Sequence, residues 1–288
     1  MSELDYATSW RQAALRPVGA ADRMRRFARD ATLSVLAATR RSWEPRFLRG
    51  LYCHYVFDDQ REAFERLLVS LRSAATFVDT DTCIDMLAGR KPVDGRYLHL
   101  SFDDGFRNNF TNALPVLRKH RVPAIFFVPS AVIGADRAAA NAYSRRIEYR
   151  AAIETMTWDD LATMRDEGYE IGSHTRTHAR FSEASADRAT LESEIAGSKR
   201  DLEARLGIEC KYISWPYGKR SDADAVSLQM ARDAGYRACF GAYRGTMTPG
   251  VTDLFSIPRH HFEVEWPMAH VKYFARGNME QPMRGVSA

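Results

Sequence analysis

Two adjacent carboxylates, Asp103 and Asp104, end the run Leu98-His99-Leu100-Ser101-Phe102 and are followed by Gly105. Two imidazoles, His174 and His178, are separated by three residues just after Tyr169-Glu170-Ile171-Gly172. Two imidazoles and one carboxylate can hold a divalent cation and leave positions open for water. The other carboxylate is then free to act as a base. Neighbouring acids can differ in role because successive strand side chains point to opposite faces. The plainer readings are a capping acid in a turn and two surface histidines one helical turn apart. An apolar strand leading into each pair argues against both.

The elements around these residues alternate. Strands are expected at Leu51–Phe57, Tyr97–Phe102, Ala124–Val128, Tyr169–Gly172, Tyr212–Trp215, Tyr236–Phe240 and Phe255–Ile257. Helical patterns fall between them, including Ser185–Leu206 and a last helix over Trp266–Phe274. The polar stretch 134–155 reads as an excursion over the active face. Alternation of this kind predicts a parallel sheet, closed as a TIM-like barrel. Both acid and imidazole pairs then fall at C-terminal strand ends, where barrel active sites sit.

The chain has 288 residues, enough for one sizeable core. The expected division is a basic helical N-terminal extension over 1–49 and a barrel over 50–288. Residues 1–50 carry ten arginines against five acids, and the remainder is nearly balanced. Within Ala21–Arg41, Met24, Phe27, Leu33 and Leu36 recur at roughly helical spacing, so a helix packed beside the barrel mouth is expected, with those four side chains buried. Its arginines could instead meet anionic lipid or a phosphate-bearing substrate. No basic-aromatic groove pattern points to nucleic acid. The acidic start, without a basic and apolar leader, predicts a cytoplasmic protein. Cys53, Cys83, Cys210 and Cys239 form no Cys-x-x-Cys pair and read as free thiols.

Ser101-Phe102-Asp103-Asp104-Gly105, His174-Thr175-Arg176-Thr177-His178 and Pro216-Tyr217-Gly218, in this order, resemble the motifs of the polysaccharide deacetylase family, also called the NodB-homology or carbohydrate esterase 4 family. The resemblance spans roughly residues 50 to 275. It implies a distorted (β/α)7 barrel and one divalent metal, zinc as first choice, with cobalt, nickel, iron or manganese open. It implies that Asp104, His174 and His178 hold the metal, that Asp103 is the base, and that Pro216, Tyr217 and Gly218 line the sugar pocket and supply an oxyanion amide.

The chain departs from the family pattern at two points. Ser214 stands where an arginine orients the base, and Arg259 in Pro258-Arg259-His260-His261 is the expected substitute. The late histidine motif of the general acid is not evident. His261 shares a face with Arg259 if the strand continues, whereas His260 faces the other way. His54 resembles the Tyr-His element of relatives acting on exopolysaccharides and is a pocket candidate.

The expected function is a metal-dependent N-deacetylase acting on an N-acetylated amino sugar. A nucleotide-linked or lipid-linked precursor of O-antigen, capsule or other surface polysaccharide is the expected substrate, which would place the enzyme in lipopolysaccharide biosynthesis. The alternatives are deformylation or deacylation of a lipid-linked sugar at the membrane face, and a non-catalytic carbohydrate-binding relative.

Overall fold

The runs that end in Asp-Asp-Gly and in the histidine turn become strands of one sheet. A computed structural model describes residues 6–13 and 19–280; parts of the expected extension, 1–5 and 14–18, lie outside the described residues. The strands are β1 (Phe47–Cys53), β2 (Thr76–Val78), β3 (Arg96–Phe102), β4 (Ile125–Val128), β5 (Glu170–Ser173), β6 (Tyr212–Ser214), β7 (Ala238–Phe240) and β8 (His260–His261). They run in the order β7-β6-β5-β4-β3-β1-β8, with β2 beside β3. Every strand pairing is parallel, as helical crossovers require. The seven-strand path with helices between strands is the expected distorted (β/α)7 barrel.

Strand parity divides the interior into two layers. Leu98, Leu100, Phe102, Phe126, Val128, Ile213 and Cys239 pack in one cluster with the helices. Ile125, Phe127, Tyr212, Ala238 and Phe240 form another. His99, the interior neighbour of Phe240, stacks on it at 5.4 Å between ring centres. Burial pushes His99 down to about 3, so it is a neutral core histidine. Ser101 and Asp103 continue its face of β3, so the barrel interior receives one of the paired acids.

Several boundaries differ from the sequence reading. β1 runs Phe47–Cys53 rather than Leu51–Phe57, so His54 sits one residue past its end. The Phe255–Ile257 strand reduces to a single bridge, Phe240 with Ile257. Pro258 lacks an N–H and breaks the ladder there. The 134–155 excursion contains a helix over Arg137–Arg146, capped by Asp136, whose side chain accepts from the Ala139 amide. The long helix expected over Ser185–Leu206 runs continuously from Arg188 to Leu206, starting three residues late behind its cap Asp187 and carrying a π-helical segment, Ser193–Gly197, in its middle.

The basic extension does form a helix, Ala20–Thr39, but the burial expected of it fails for its first half. Met24 is 72% exposed and Phe27 76%. Leu33 and Leu36 are partly buried, packing with Ala37, Tyr273 and Phe274. The reason is geometric: the helix rests on the Met268–Ala275 helix, which meets only its second half. Among the described residues, no helix is long and apolar enough to cross a membrane. Urea unfolding should therefore show a loss of about 1–3 kcal/mol for Leu36→Ala and a change within about 0.5 kcal/mol for Phe27→Ser. Equal effects would contradict this one-ended packing.

Candidate active site

Asp103 and Asp104 diverge because the backbone turns between them. Asp104 takes φ 73° and Gly105 φ 69°, both left-handed. Three more non-glycine residues around the site share that conformation: Thr175 (63°), His178 (65°) and Tyr217 (62°). Such backbone costs of order 1–3 kcal/mol per residue and clusters at functional sites. Gly218 (φ 70°) is required outright, since a Cβ there would lie 2.0 Å from that of Ala242.

The turn brings Asp104 to the histidines. Its Oδ1 is 3.4 Å from His174 Nε2 and 3.2 Å from His178 Nε2. All three residues are buried. Ligand atoms ~2.1 Å from a common centre in tetrahedral directions are ~3.4 Å apart, so the spacing fits one divalent ion. His174 Nδ1 bonds the Ser214 carbonyl at 2.8 Å, which aims Nε2 at the carboxylate. Burial opposes the charge on Asp104, but the two imidazoles outweigh it and hold the carboxyl well below its usual range.

Asp103 faces the barrel interior and meets Arg259. The pair is bidentate, Nη1 to Oδ1 and Nη2 to Oδ2, both at 2.8 Å. Arg259 is fully buried, yet each of its five N–H groups has an acceptor. Nε donates to the Gly241 carbonyl, Nη1 also to Ser101 Oγ, and Nη2 also to Ser214 Oγ. Ser214, at the position lacking the family arginine, thus makes room for this one and binds it. Burial works against the Asp103 carboxylate, but Arg259 and His174 prevail and lower its pKa.

A second cluster lies beside the triad. His261 Nε2 bonds Glu263 Oε1 at 2.7 Å, and His54 Nδ1 is 3.5 Å from the same oxygen. The two imidazoles stand edge to face, 5.0 Å apart. His260 points away, to Glu280 at 3.2 Å. Tyr217 is exposed at the mouth, with its ring 5.0 Å from that of His178.

Three supporting residues escaped the sequence reading. Glu263 anchors the second cluster. Buried Glu194 accepts from the Arg176 and Thr177 amides and the Thr177 hydroxyl, bracing the turn between the histidines. It lies in the π-helical segment, a feature frequent at functional sites. Tyr143 donates to the Asp104 carbonyl at 3.2 Å. Nothing in their local sequence distinguishes these three from surface or core residues.

Removing the arginine should be costly. Arg259→Met leaves a buried carboxylate unpaired, and urea unfolding near pH 7 should show a loss of about 3–5 kcal/mol. In the wild type, Asp103 has a lowered pKa, so its contribution is present above the ordinary carboxylate range and lost as pH falls through the folded value. In Arg259→Met the largest lowering influence is gone, so the stability gained as pH rises through the carboxylate range should shrink. An unchanged pH profile would contradict the coupling.

Residues 90–239 match the polysaccharide deacetylase family. The poly-β-1,6-N-acetyl-D-glucosamine N-deacetylase of Staphylococcus aureus (strain MRSA252) is 23% identical over 164 residues, 57% of this chain and 53% of that protein. The chain spans about half the length of the curated relatives it matches. The structure resembles IcaB from Ammonifex degensii, with a TM-score of 0.67 and 24% identity over 81% of this chain and 98% of that one. It also resembles the BpsB deacetylase domain from Bordetella bronchiseptica, with a TM-score of 0.61 and 23% identity over 76% and 97%. At these identities the structural likeness speaks to the fold. The family match covers just over half the sequence and includes both aspartates, both histidines and the Pro-Tyr-Gly turn, and the chain belongs to the polysaccharide deacetylase family.

Proposed function

We propose that this protein is a metal-dependent N-deacetylase that hydrolyses the acetamide of an N-acetylated amino sugar. The observation that carries the reading is the division of labour between the adjacent aspartates. One lies with two imidazoles at metal-ligand spacing. The other is held apart by a buried arginine. A divalent ion held by Asp104, His174 and His178, zinc as first choice, supplies Lewis-acid activation of water and of the amide carbonyl.

Asp103 takes the proton of the attacking water. Each carboxylate oxygen gives one lone pair to Arg259 and keeps another for this role. The departing amine needs a proton in return, and the geometry favours His54 over His261 as its donor. Burial disfavours a charged His54 ring, but Asp104, Glu263 and Asp103 outweigh it and raise the pKa to about 9. A cation at the triad would offset the pull of Asp104, leaving Glu263 as the lasting partner. His54 is also 24% exposed in its side chain, open to a substrate. His261, locked to Glu263 at 2.7 Å, then orients that carboxylate. Tyr217 and Gly218 flank the mouth, and Pro216 sets their turn.

Within this class, a nucleotide-linked or lipid-linked precursor of a surface polysaccharide is the substrate we favour, on the strength of the arginine-rich extension. Acetate release from N-acetylated sugars, measured alongside metal content, tests the core of the reading. The wild type should carry about one divalent ion per chain, and His174→Ala should lose it. Asp103→Asn should keep the ion and lose at least roughly 10²-fold in turnover. Near-normal turnover in Asp103→Asn, or full metal occupancy in His174→Ala, would overturn it. Turnover should also decline at alkaline pH as His54 loses its proton, because only the charged ring can donate. Glu263→Gln removes a group that raises the His54 pKa, so this alkaline limb should move to lower pH.

A further inference from the structure

The N-terminal extension and the end of the barrel enclose a cavity of about 370 Å³ that the chemistry above does not use. Its size lies within the range of small-molecule sites. Trp10 and Arg29 come from the extension, while Arg244, Trp266 and Phe274 come from the barrel. Trp266 also lies 5.3 Å from the ring of His261, which stands 5.0 Å from His54. The cavity therefore adjoins the catalytic cluster through one shared indole.

The charges in this cavity are unevenly satisfied. Asp30 is paired with Arg29 at 3.0 Å. Glu265 accepts from the Tyr55 hydroxyl and the Gln60 amide. Arg244 has no carboxylate partner among the described residues. Its guanidinium lies over the Phe274 ring at 3.9 Å, and its Nε is buried without a hydrogen-bond partner. Burial lowers the Arg244 pKa, and the like charge of Arg29 adds to it. A buried donor left unmade is costly, and two guanidiniums facing one space repel each other. An oxyanion would relieve both. Two indoles beside them, partly buried, offer the flat apolar faces on which a sugar ring can rest.

We propose that this cavity is a subsite for a saccharide bearing an oxyanion, phosphate or carboxylate, with Arg244 and Arg29 binding the charge and Trp10 and Trp266 contacting the sugar. The link to catalysis rests on the deacetylase reading: the sugar in the cavity would be part of the same substrate whose acetamide reaches the triad. The two sources of charge differ in chemistry. Phosphate would mark a glycosyl phosphate precursor, and carboxylate a uronic acid neighbour in a polymer.

Binding can be measured without turnover. Isothermal titration of the full-length protein with glucose 1-phosphate, glucuronate and glucose separates the possibilities, because none carries an acetamide. At least one anionic sugar should bind about tenfold or more tighter than glucose, the scale of one charge-assisted hydrogen bond. Binding should weaken with salt. Arg244→Met and, at the exposed position, Arg29→Gln should each weaken anion binding severalfold and leave glucose binding and circular dichroism unchanged. Tighter binding of the phosphate or of the carboxylate assigns the source. The His178→Ala variant should bind the anion as the wild type does. Loss of binding there would place the anion on the metal site and overturn the proposal. So would equal binding of glucose, or unchanged anion affinity in both arginine variants. If anion binding holds while no N-acetyl sugar is hydrolysed, the subsite stands and the deacetylase reading falls.

Discussion

A fully buried ion pair, Arg259 with Asp103, ties the barrel together at its catalytic end. Removing two charges from water costs several kcal/mol per ion, so such a pair survives only with its remaining donors and acceptors satisfied. Arg259 meets that demand with acceptors from four residues at three strand ends: Ser101 and Asp103 at β3, Ser214 at the end of β6 and Gly241 just past β7. The aromatic faces of Tyr52 and Phe127 lie 4.6 and 5.2 Å from the guanidinium carbon and add a cation–π contribution. One side chain thus fixes both the register of the strand ends and the direction of the free carboxylate.

The metal triad depends on that arrangement. Asp104 can turn toward His174 and His178 because Asp103 is committed to the opposite direction. The left-handed backbone at Asp104, Thr175 and His178 is strain that the surroundings must hold in place. Glu194 does so on the histidine turn, and Tyr143 on the aspartate turn. The bond from His174 to the Ser214 carbonyl joins the triad to the arginine's own shell, since the Ser214 hydroxyl accepts from Arg259. Disturbance of either half should therefore be felt in the other.

Much of this was legible in the sequence, for reasons that can be named. The buried runs before Asp103 and His174 have the strand signature, and their polar ends mark the catalytic face. Ser214 in place of an arginine required a substitute, and Arg259 stood at the start of the one late strand that could reach. The leader was read correctly as a helix, but its burial was not. Periodicity identifies an apolar stripe at Met24, Phe27, Leu33 and Leu36 without saying how far the partner helix extends. Glu263 and Glu194 were invisible because their roles depend on contacts with distant turns. The role of His54 turned on its position relative to Glu263, which no local pattern encodes.

Among the described residues, two neighbouring clusters offer ligands for a cation: Asp104 with His174 and His178, and Glu263 with His54 and His261. The first suits the metal and the second proton transfer. Anomalous diffraction from crystals grown with zinc, recorded at the zinc edge, distinguishes them directly. The account predicts one peak about 2.0–2.2 Å from the Asp104 carboxylate and from both imidazole Nε2 atoms, with Asp103 still paired to Arg259. A sole peak between His54, His261 and Glu263 would contradict it.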